Sequence, residues 1–209
     1  MTPPVEKELA VDDGMLEAAS ARALASFRTW TTDAPTVVVG KSVEIEQEVN
    51  VDFCRRHGVA IVRRQSGGRS VWVGPGTLQY AFALPYRLSR ELDDIASSKR
   101  FCNRLLLAAL RCESTVREDA SGDLVVDAHK VGGLALRRVR HAMLLHGTVL
   151  VGADLAFIDR ALLHPAHEPI YRHGRAHREF LANLPPLDGV AIERRVKRSI
   201  AQLVETAEL

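Results

Sequence analysis

The sequence predicts an α+β fold, a mixed, largely antiparallel sheet with flanking helices, and three observations lead there. Apolar residues make up 46% of the 209 positions, enough to bury a substantial core. Several short apolar runs end at glycine or at Gly-Pro-Gly, the punctuation of strands and hairpins. Longer segments between and after them carry helical spacing instead. Hairpins mixed with flanking helices favour this class over a doubly wound parallel sheet.

In chain order, residues 12–28 read as an amphipathic helix rich in Ala, Leu and Met. Residues 35–40 follow as a buried strand ended by Gly40. Residues 46–57 return to helical spacing, with Val49, Phe53 and Cys54 on one face and Gly58 as the stop. Residues 59–64 read as a strand, broken at Ser66-Gly67-Gly68. Residues 70–73 and 78–84 alternate as a hairpin around Gly74-Pro75-Gly76. A helix over 97–112 precedes strands at 124–126, 130–136 and 142–151, the middle one interrupted by Gly132-Gly133. Asp154 is placed to cap a helix through Leu163. A His/Arg-rich connection follows, and residues 188–208 form a terminal helix. The simplest count is one domain over 1–209, with 164–209 belonging to it.

Charged residues are 26% of the chain but the net charge is only +2, which argues against a nucleic-acid partner. No stretch reaches the roughly 20 apolar residues that cross a bilayer, so no membrane partner is expected. The N-terminal residues carry acids where a secretory signal has a basic flank and an apolar run. The three cysteines, Cys54, Cys102 and Cys112, form no C-x-x-C pair. A reduced cytoplasmic setting fits these features.

Three segments carry chemistry. In Arg63-Arg64-Gln65-Ser66-Gly67-Gly68-Arg69-Ser70-Val71, two glycines let backbone N–H groups approach a ligand and the arginines can hold an anion. Alone, such a glycine pair is usually a plain turn. In Asp123-Leu124-Val125-Val126-Asp127-Ala128-His129-Lys130-Val131-Gly132-Gly133, a strand lysine beside two glycines suits contact with a phosphate or carboxylate. By itself it is equally a solvated strand lysine. His146-Gly147-Thr148 puts polar groups and a glycine inside an apolar strand, which marks either close approach of another group or a satisfied core histidine.

Taken in order, R-R-x-S-G-G, K-x-G-G and H-G-T resemble the catalytic domain of the lipoate-protein ligases, relatives of biotin protein ligases and octanoyltransferases. The likeness extends to Val39-Gly40, to Glu48-Val49-Asn50 and to Ala153-Asp154-Leu155, spanning roughly residues 35–160. It implies a biotin/lipoate ligase-like fold and transfer of a lipoyl or octanoyl group to a lysine of a lipoyl carrier protein. It implies ATP and Mg2+ as cofactors, with lipoate or octanoate as substrate. Lys130 matches the catalytic lysine that contacts the acyl carbonyl and phosphate of an acyl-adenylate. Ser66, Gly67, Gly68, Arg69, Ser70 and Val71 match the segment that wraps adenylate and acyl chain, and Arg64 matches an anion-contacting arginine. Asp123 matches an aspartate near the nucleotide. Gly132 and Gly133, then His146, Gly147 and Thr148, match strands lining the site, and Thr77 falls among the nucleotide contacts. No dedicated protein cage for a metal is expected.

The chain departs from the pattern in three places. Arg69 stands where many ligases carry a third glycine. Val73-Gly74-Pro75-Gly76-Thr77 replaces H-D-x-G-N and is closer to octanoyltransferases. The additional C-terminal domain of long ligases is not present in this sequence, so a small accessory ligase subunit is an expected partner. The alternatives are an octanoyl or lipoyl acyltransferase and a non-catalytic lipoate- or adenylate-binding protein. The acyltransferase needs a nucleophilic cysteine, and neither 113–129 nor 153–165 contains one. A biotin ligase lacks support because its G-R-G-R loop is missing. In the tail, His164, His167, His173 and His177 stand at metal-like spacings, but Pro165, Gly174 and the arginines argue against a metal. Arg172, Arg175 and Arg178 are expected either to meet an acidic carrier surface or to form a solvated cap.

Overall fold

The computed structural model describes residues 5–110 and 115–207. Cys112 and Glu208, expected at the ends of two helices, lie outside the described residues. Among the described residues nine strands form two sheets. The larger is antiparallel throughout, in the order β1 (Ser26–Trp30), β5 (Thr77–Pro85), β9 (Ala142–Leu150), β8 (His129–Arg138), β7 (Leu124–Val126) and β6 (Arg117–Glu118). The smaller has β2 (Thr36–Val39) at its centre, parallel to β3 (Ala60–Arg63) and antiparallel to β4 (Val71–Val73).

The large sheet is covered on both faces, which is why β5 reads as an unbroken buried run rather than an alternation. On one face, helix α1 (Val5–Arg22) lays Leu16 and Ala19 on Ala81, Ala83, Ala142 and Leu144, small side chains that admit a close helix. On the other, α4 (Ile95–Leu110) and α7 (Gly189–Ala207) bring Phe101, Leu106, Ile192 and Val196 against Phe82, Leu145 and Val149. Each such buried side chain stabilises the fold by about 1.5–3 kcal/mol. A second core joins the small sheet to α2 (Ile45–Glu48), α3 (Val51–Arg56) and α5 (Leu155–Ala161) through Val37, Val39, Phe53, Trp72 and Ile158. The short α6 (His177–Phe180) packs on α5 and β8.

Several sequence expectations are corrected here. The first helix stops at Arg22 and Ala23 takes a positive φ of 55°, after which Ser26–Trp30 becomes an edge strand on β5. The Ala/Leu-rich stretch across Ala23–Ala25 had concealed that break. The strands either side of Gly74-Pro75-Gly76 are not a hairpin, because β4 pairs with β2 and β5 with β1 and β9. The turn carries the chain from one sheet to the other. Residues 46–57 are two helices, split where Asn50 caps α3 through the Phe53 N–H and Val49 bridges Leu162. Strand β8 runs unbroken through Gly132-Gly133, and the irregularity falls on its neighbour at Leu124/Val125. The Asp154 cap is borne out, its carboxylate accepting from the Phe157 N–H at 2.9 Å.

Candidate active site

A cavity of about 410 Å³ is lined by both sheets, by α1 and by residues of the 162–181 segment, within the size range of small-molecule sites. One wall is the 64–70 loop, fixed by two buried charges. Arg64 is 6% exposed and directs Nε to Ser66 Oγ, Nη1 to the Val38 carbonyl and Nη2 to the Gly67 and Arg69 carbonyls. Burial lowers its pKa to about 10, with Glu48 opposing, so the guanidinium stays charged at neutral pH. Glu48 takes Arg69 Nη1 at 2.6 Å and both the N–H and the hydroxyl of Ser70. Burial raises the Glu48 pKa, but the Arg69 and Ser70 hydrogen bonds outweigh it and the net shift is downward. The E-x-N element thus works in two directions, Glu48 anchoring the loop and Asn50 capping α3.

Behind this loop runs a polar chain. His146 Nε2 lies 2.7 Å from Ser66 Oγ, and its Nδ1 lies 3.2 Å from Asp12 Oδ2. Asp12 also pairs with Arg28 Nε at 3.2 Å, and Arg28 pairs in turn with Glu8. The Asp12 carboxylate favours a proton on Nδ1, leaving Nε2 to accept from the Ser66 hydroxyl. Ser66 is 1% exposed and also accepts from Arg64, so it ties the loop to β9 and α1 and does not present a nucleophile.

The facing wall is built around Lys130 on β8. Its Nζ sits 2.8 Å from Asp123 Oδ1, and the Tyr171 hydroxyl donates to Asp123 Oδ2 at 2.9 Å. Burial and the Asp123 charge push the Tyr171 pKa up, so it remains a phenol and a donor. A Cβ on Gly133 would stand 2.9 Å from the Lys130 Cε and Nζ, so glycine is what lets the lysine fold back over its own strand. Gly147 answers to a different neighbour: a Cβ there would collide with the Gly133 carbonyl and the Tyr80 ring. The fully buried Tyr80 hydroxyl has no hydrogen-bond partner among the described residues, and burial raises its pKa. Thr148 Oγ1 donates to Gln79 Oε1 at 2.5 Å across β9 and β5.

Of the residues singled out from sequence, Arg64, Gly68, Arg69, Ser70, Val71, Asp123, Lys130, Gly132, Gly133, His146, Gly147 and Thr148 line this one cavity. Ser66, Gly67 and Thr77 do not. Thr77 is buried under the Gly74 turn, bonded to the Gly74 carbonyl and to Gln79 Nε2. Arg64 lines the cavity and donates to Ser66 and to the Val38, Gly67 and Arg69 carbonyls. The tail is corrected as well. Arg172, 3% exposed, bonds to the Arg175 carbonyl, and Arg175 to the carbonyls of Ala128, Tyr171 and Arg172; of the three arginines only Arg178 is exposed. Sequence reasoning missed Asp12, Trp30 and Gln79 as lining residues, singled out His177 only for its spacing to His173, and missed Tyr171, which reaches the site through Asp123. Asp12, Trp30 and Gln79 come from three separated segments, and none of them stands in a motif that could have drawn attention.

The profile of the lipoyl protein ligase A/B catalytic domain matches residues 4–203. The chain belongs to that family. Within it, the chain is 28% identical over 160 residues to a putative lipoate-protein ligase A of Aeropyrum pernix, covering 76% of this chain and 58% of that one. It is 24% identical to lipoate-protein ligase A subunit 1 of Thermoplasma acidophilum, covering 83% and 69%. It spans between two fifths and three fifths of the length of the first three curated relatives it matches. Among solved structures, a putative lipoate protein ligase from T. acidophilum with bound lipoic acid superposes with a TM-score of 0.78 at 20% identity, covering 98% and 83%. A lipoate-protein ligase A bound with ATP gives 0.71 at 22%, covering 94% and 79%. These likenesses place the α+β architecture in the lipoate ligase fold.

No helix among the described residues is long and apolar enough to cross a membrane. Cys54 and Cys102 are buried, burial pushes both thiols up in pKa, and neither lines the cavity.

Proposed function

We propose that this chain transfers a lipoyl group, or the related octanoyl group, from an acyl-adenylate to a lysine of a lipoyl carrier protein. Lys130 carries the proposal. It is a cation facing the cavity whose partner, the partly exposed Asp123, is one that an incoming anion can displace. Side-chain exposures of 29% for Lys130 and 13% for Asp123 leave that pair reachable from the cavity. Lys130 is assigned the role of holding the acyl carbonyl and phosphate oxygens as negative charge develops there. The loop backbone from Gly67 to Ser70 is held by Arg64 and Glu48 in a fixed wall, which suits a preorganised site.

In the activating step a carboxylate oxygen of lipoate attacks the α-phosphorus of ATP, giving lipoyl-adenylate and pyrophosphate. In the transfer step the carrier amine attacks the acyl carbon, the C–O bond to phosphate breaks, and AMP leaves. ATP as a substrate is supported by the ATP-bound relative of the same fold. Mg2+ would be held mainly by the phosphates. No cluster of three or more carboxylate, imidazole or thiolate groups stands ready to cage it among the described residues. A separate accessory subunit for activation is supported by the T. acidophilum relative that is named subunit 1. The whole of 1–209 acts here as one catalytic domain in a reduced cytoplasmic setting, and residues from 162 to 181 complete the cavity.

Intact-mass measurement of an apo lipoyl carrier tests this. The carrier is incubated with the chain, lipoate, ATP and magnesium, beside a sample given preformed lipoyl-adenylate. Lipoylation with the adenylate alone is the result expected of a subunit that needs an activation partner. Lipoylation in both samples means a self-sufficient ligase, and lipoylation in neither overturns the transfer activity.

A further inference from the structure

Acyl transfer to a carrier lysine must dispose of a proton, because the attacking amine nitrogen becomes cationic as the C–N bond forms. Lys130 is itself a cation, the buried Tyr80 phenol has its pKa raised and keeps its proton, and the carboxylates and His146 are engaged. Glu48 is held by Arg69 and Ser70, Asp123 by Lys130 and Tyr171, Asp12 by His146 and Arg28, and His146 by Ser66 and Asp12. Two imidazoles remain at the outer end, His167 and His177. His167 is exposed on the rim, whereas the His177 side chain is 12% exposed and seated by its own backbone N–H on Asp159 Oδ1 at 2.8 Å. The His177 Nδ1 stands 3.8 Å from the same oxygen, beyond hydrogen-bond distance, and neither ring nitrogen has a hydrogen-bond partner among the described residues.

Resting on the acyl-transfer reading above, we propose that His177 is a catalytic residue that accepts the proton released by the attacking carrier amine. The neutral amine forms the new C–N bond with the acyl carbon, and one N–H proton passes to a ring nitrogen of His177. The C–O bond to the adenylate phosphate breaks, AMP leaves, and His177 returns the proton to solvent. Its surroundings keep the ring in the accepting form. Burial and then the Arg172 cation depress the imidazolium pKa to about 4, Asp159 opposes, and His164 and Lys130 add to the depression. The ring is therefore neutral at all pH values well above that. A bound adenylate brings a phosphate anion that offsets these cations and raises the proton affinity when it is needed. The arrangement also gives the buried Arg172 a use that its hydrogen bonds within the tail do not explain.

The test follows single-turnover transfer from preformed lipoyl-adenylate, using wild type, His177→Gln and His167→Gln. Each is offered two nucleophiles, the lysine of an apo lipoyl carrier and hydroxylamine, whose weakly basic nitrogen, once bonded to the acyl carbon, gives up its proton to water unaided. His177→Gln is expected to slow carrier lipoylation about 100-fold while hydroxylamine is acylated at close to the wild-type rate. The defect should shrink as pH rises toward alkaline values, where hydroxide takes over the proton. Equal losses with both nucleophiles would mean that His177 only shapes the site, and the assignment would fall. So would wild-type rates in His177→Gln, or the nucleophile-dependent defect appearing in His167→Gln instead. If wild type acylates hydroxylamine but not the carrier, or neither, the transfer reading itself fails, and that outcome is separate from the failure of His177 alone.

Discussion

The two walls of the cavity use their cations in opposite ways. On the 64–70 side, Arg64 is buried and its donors end on Ser66 and on the carbonyls of Val38, Gly67 and Arg69. On the β8 side, Lys130 is partly exposed and has a single carboxylate partner, Asp123. An arginine matches several carbonyls at once because its donors form a rigid fork, whereas a lysine is a compact charge that can change partner. The first cation therefore shapes the site and the second is available for reaction. The difference lies in hydrogen-bond partners, which both R-R-x-S-G-G and K-x-G-G leave open.

Substitution at the two cations is the sharpest way to break that contrast. Lys130→Ala should lower transfer from preformed lipoyl-adenylate by roughly 1000-fold. Its unfolding free energy should change by only about 1 kcal/mol, since the pair is partly exposed and Asp123 keeps the Tyr171 hydrogen bond. Full activity in that variant would remove Lys130 from the chemistry. Arg64→Ala should show the reverse balance in denaturant unfolding, a loss of about 3 kcal/mol, because the Val38, Gly67 and Arg69 carbonyls and the Ser66 hydroxyl lose their donor. Arg64→Lys should recover only part of it, and full recovery would mean that the charge matters and the fork does not.

Smaller effects refine the same comparison. Gly147→Ala should destabilise by about 1–3 kcal/mol through overpacking against Tyr80 and the Gly133 carbonyl. Tyr80→Phe in the Gly147→Ala background should not relieve the clash with the carbonyl, so complete rescue would assign the whole effect to the phenol. Smallest of all is a pH effect at Glu48. Its folded pKa is below the ordinary 4.5, so its contribution is full above that value and is lost as pH falls through the folded pKa. Stability measured from pH 6 downward should decline less steeply in Glu48→Gln than in wild type, and parallel curves would mean that the Arg69 and Ser70 bonds do not survive in solution.

Much of the fold was legible from local pattern. The buried runs of β5 and β9, the amphipathic α4 and α7, and the Asp154 cap all follow from residues close in sequence. The errors fell where distant partners override local preference. Ala23–Ala25 continue a helical composition, yet β1 forms because Phe27 can be buried against Phe82 across the sheet. Residues 70–84 have the alternation of a hairpin, yet β2 and β9 each claim one of its strands. In the site, the residues singled out line one cavity except for Ser66, Gly67 and Thr77, whereas Tyr171 was not singled out and His177 was noted only for its spacing to His173. Each belongs to a segment without periodicity, and their importance arises from contact with β8 and with the cavity.

The sequence by itself determined the family and the α+β class and singled out Lys130, because those rest on short stretches whose spacing is legible in the chain. Tertiary structure decided which cation is occupied and which is available, how the Gly74-Pro75-Gly76 turn divides its strands between two sheets, and that a tail imidazole faces Lys130's cavity. The physical reason is the same in each case: hydrogen-bond partners and desolvation are supplied by residues tens of positions away, and only folding brings them within reach.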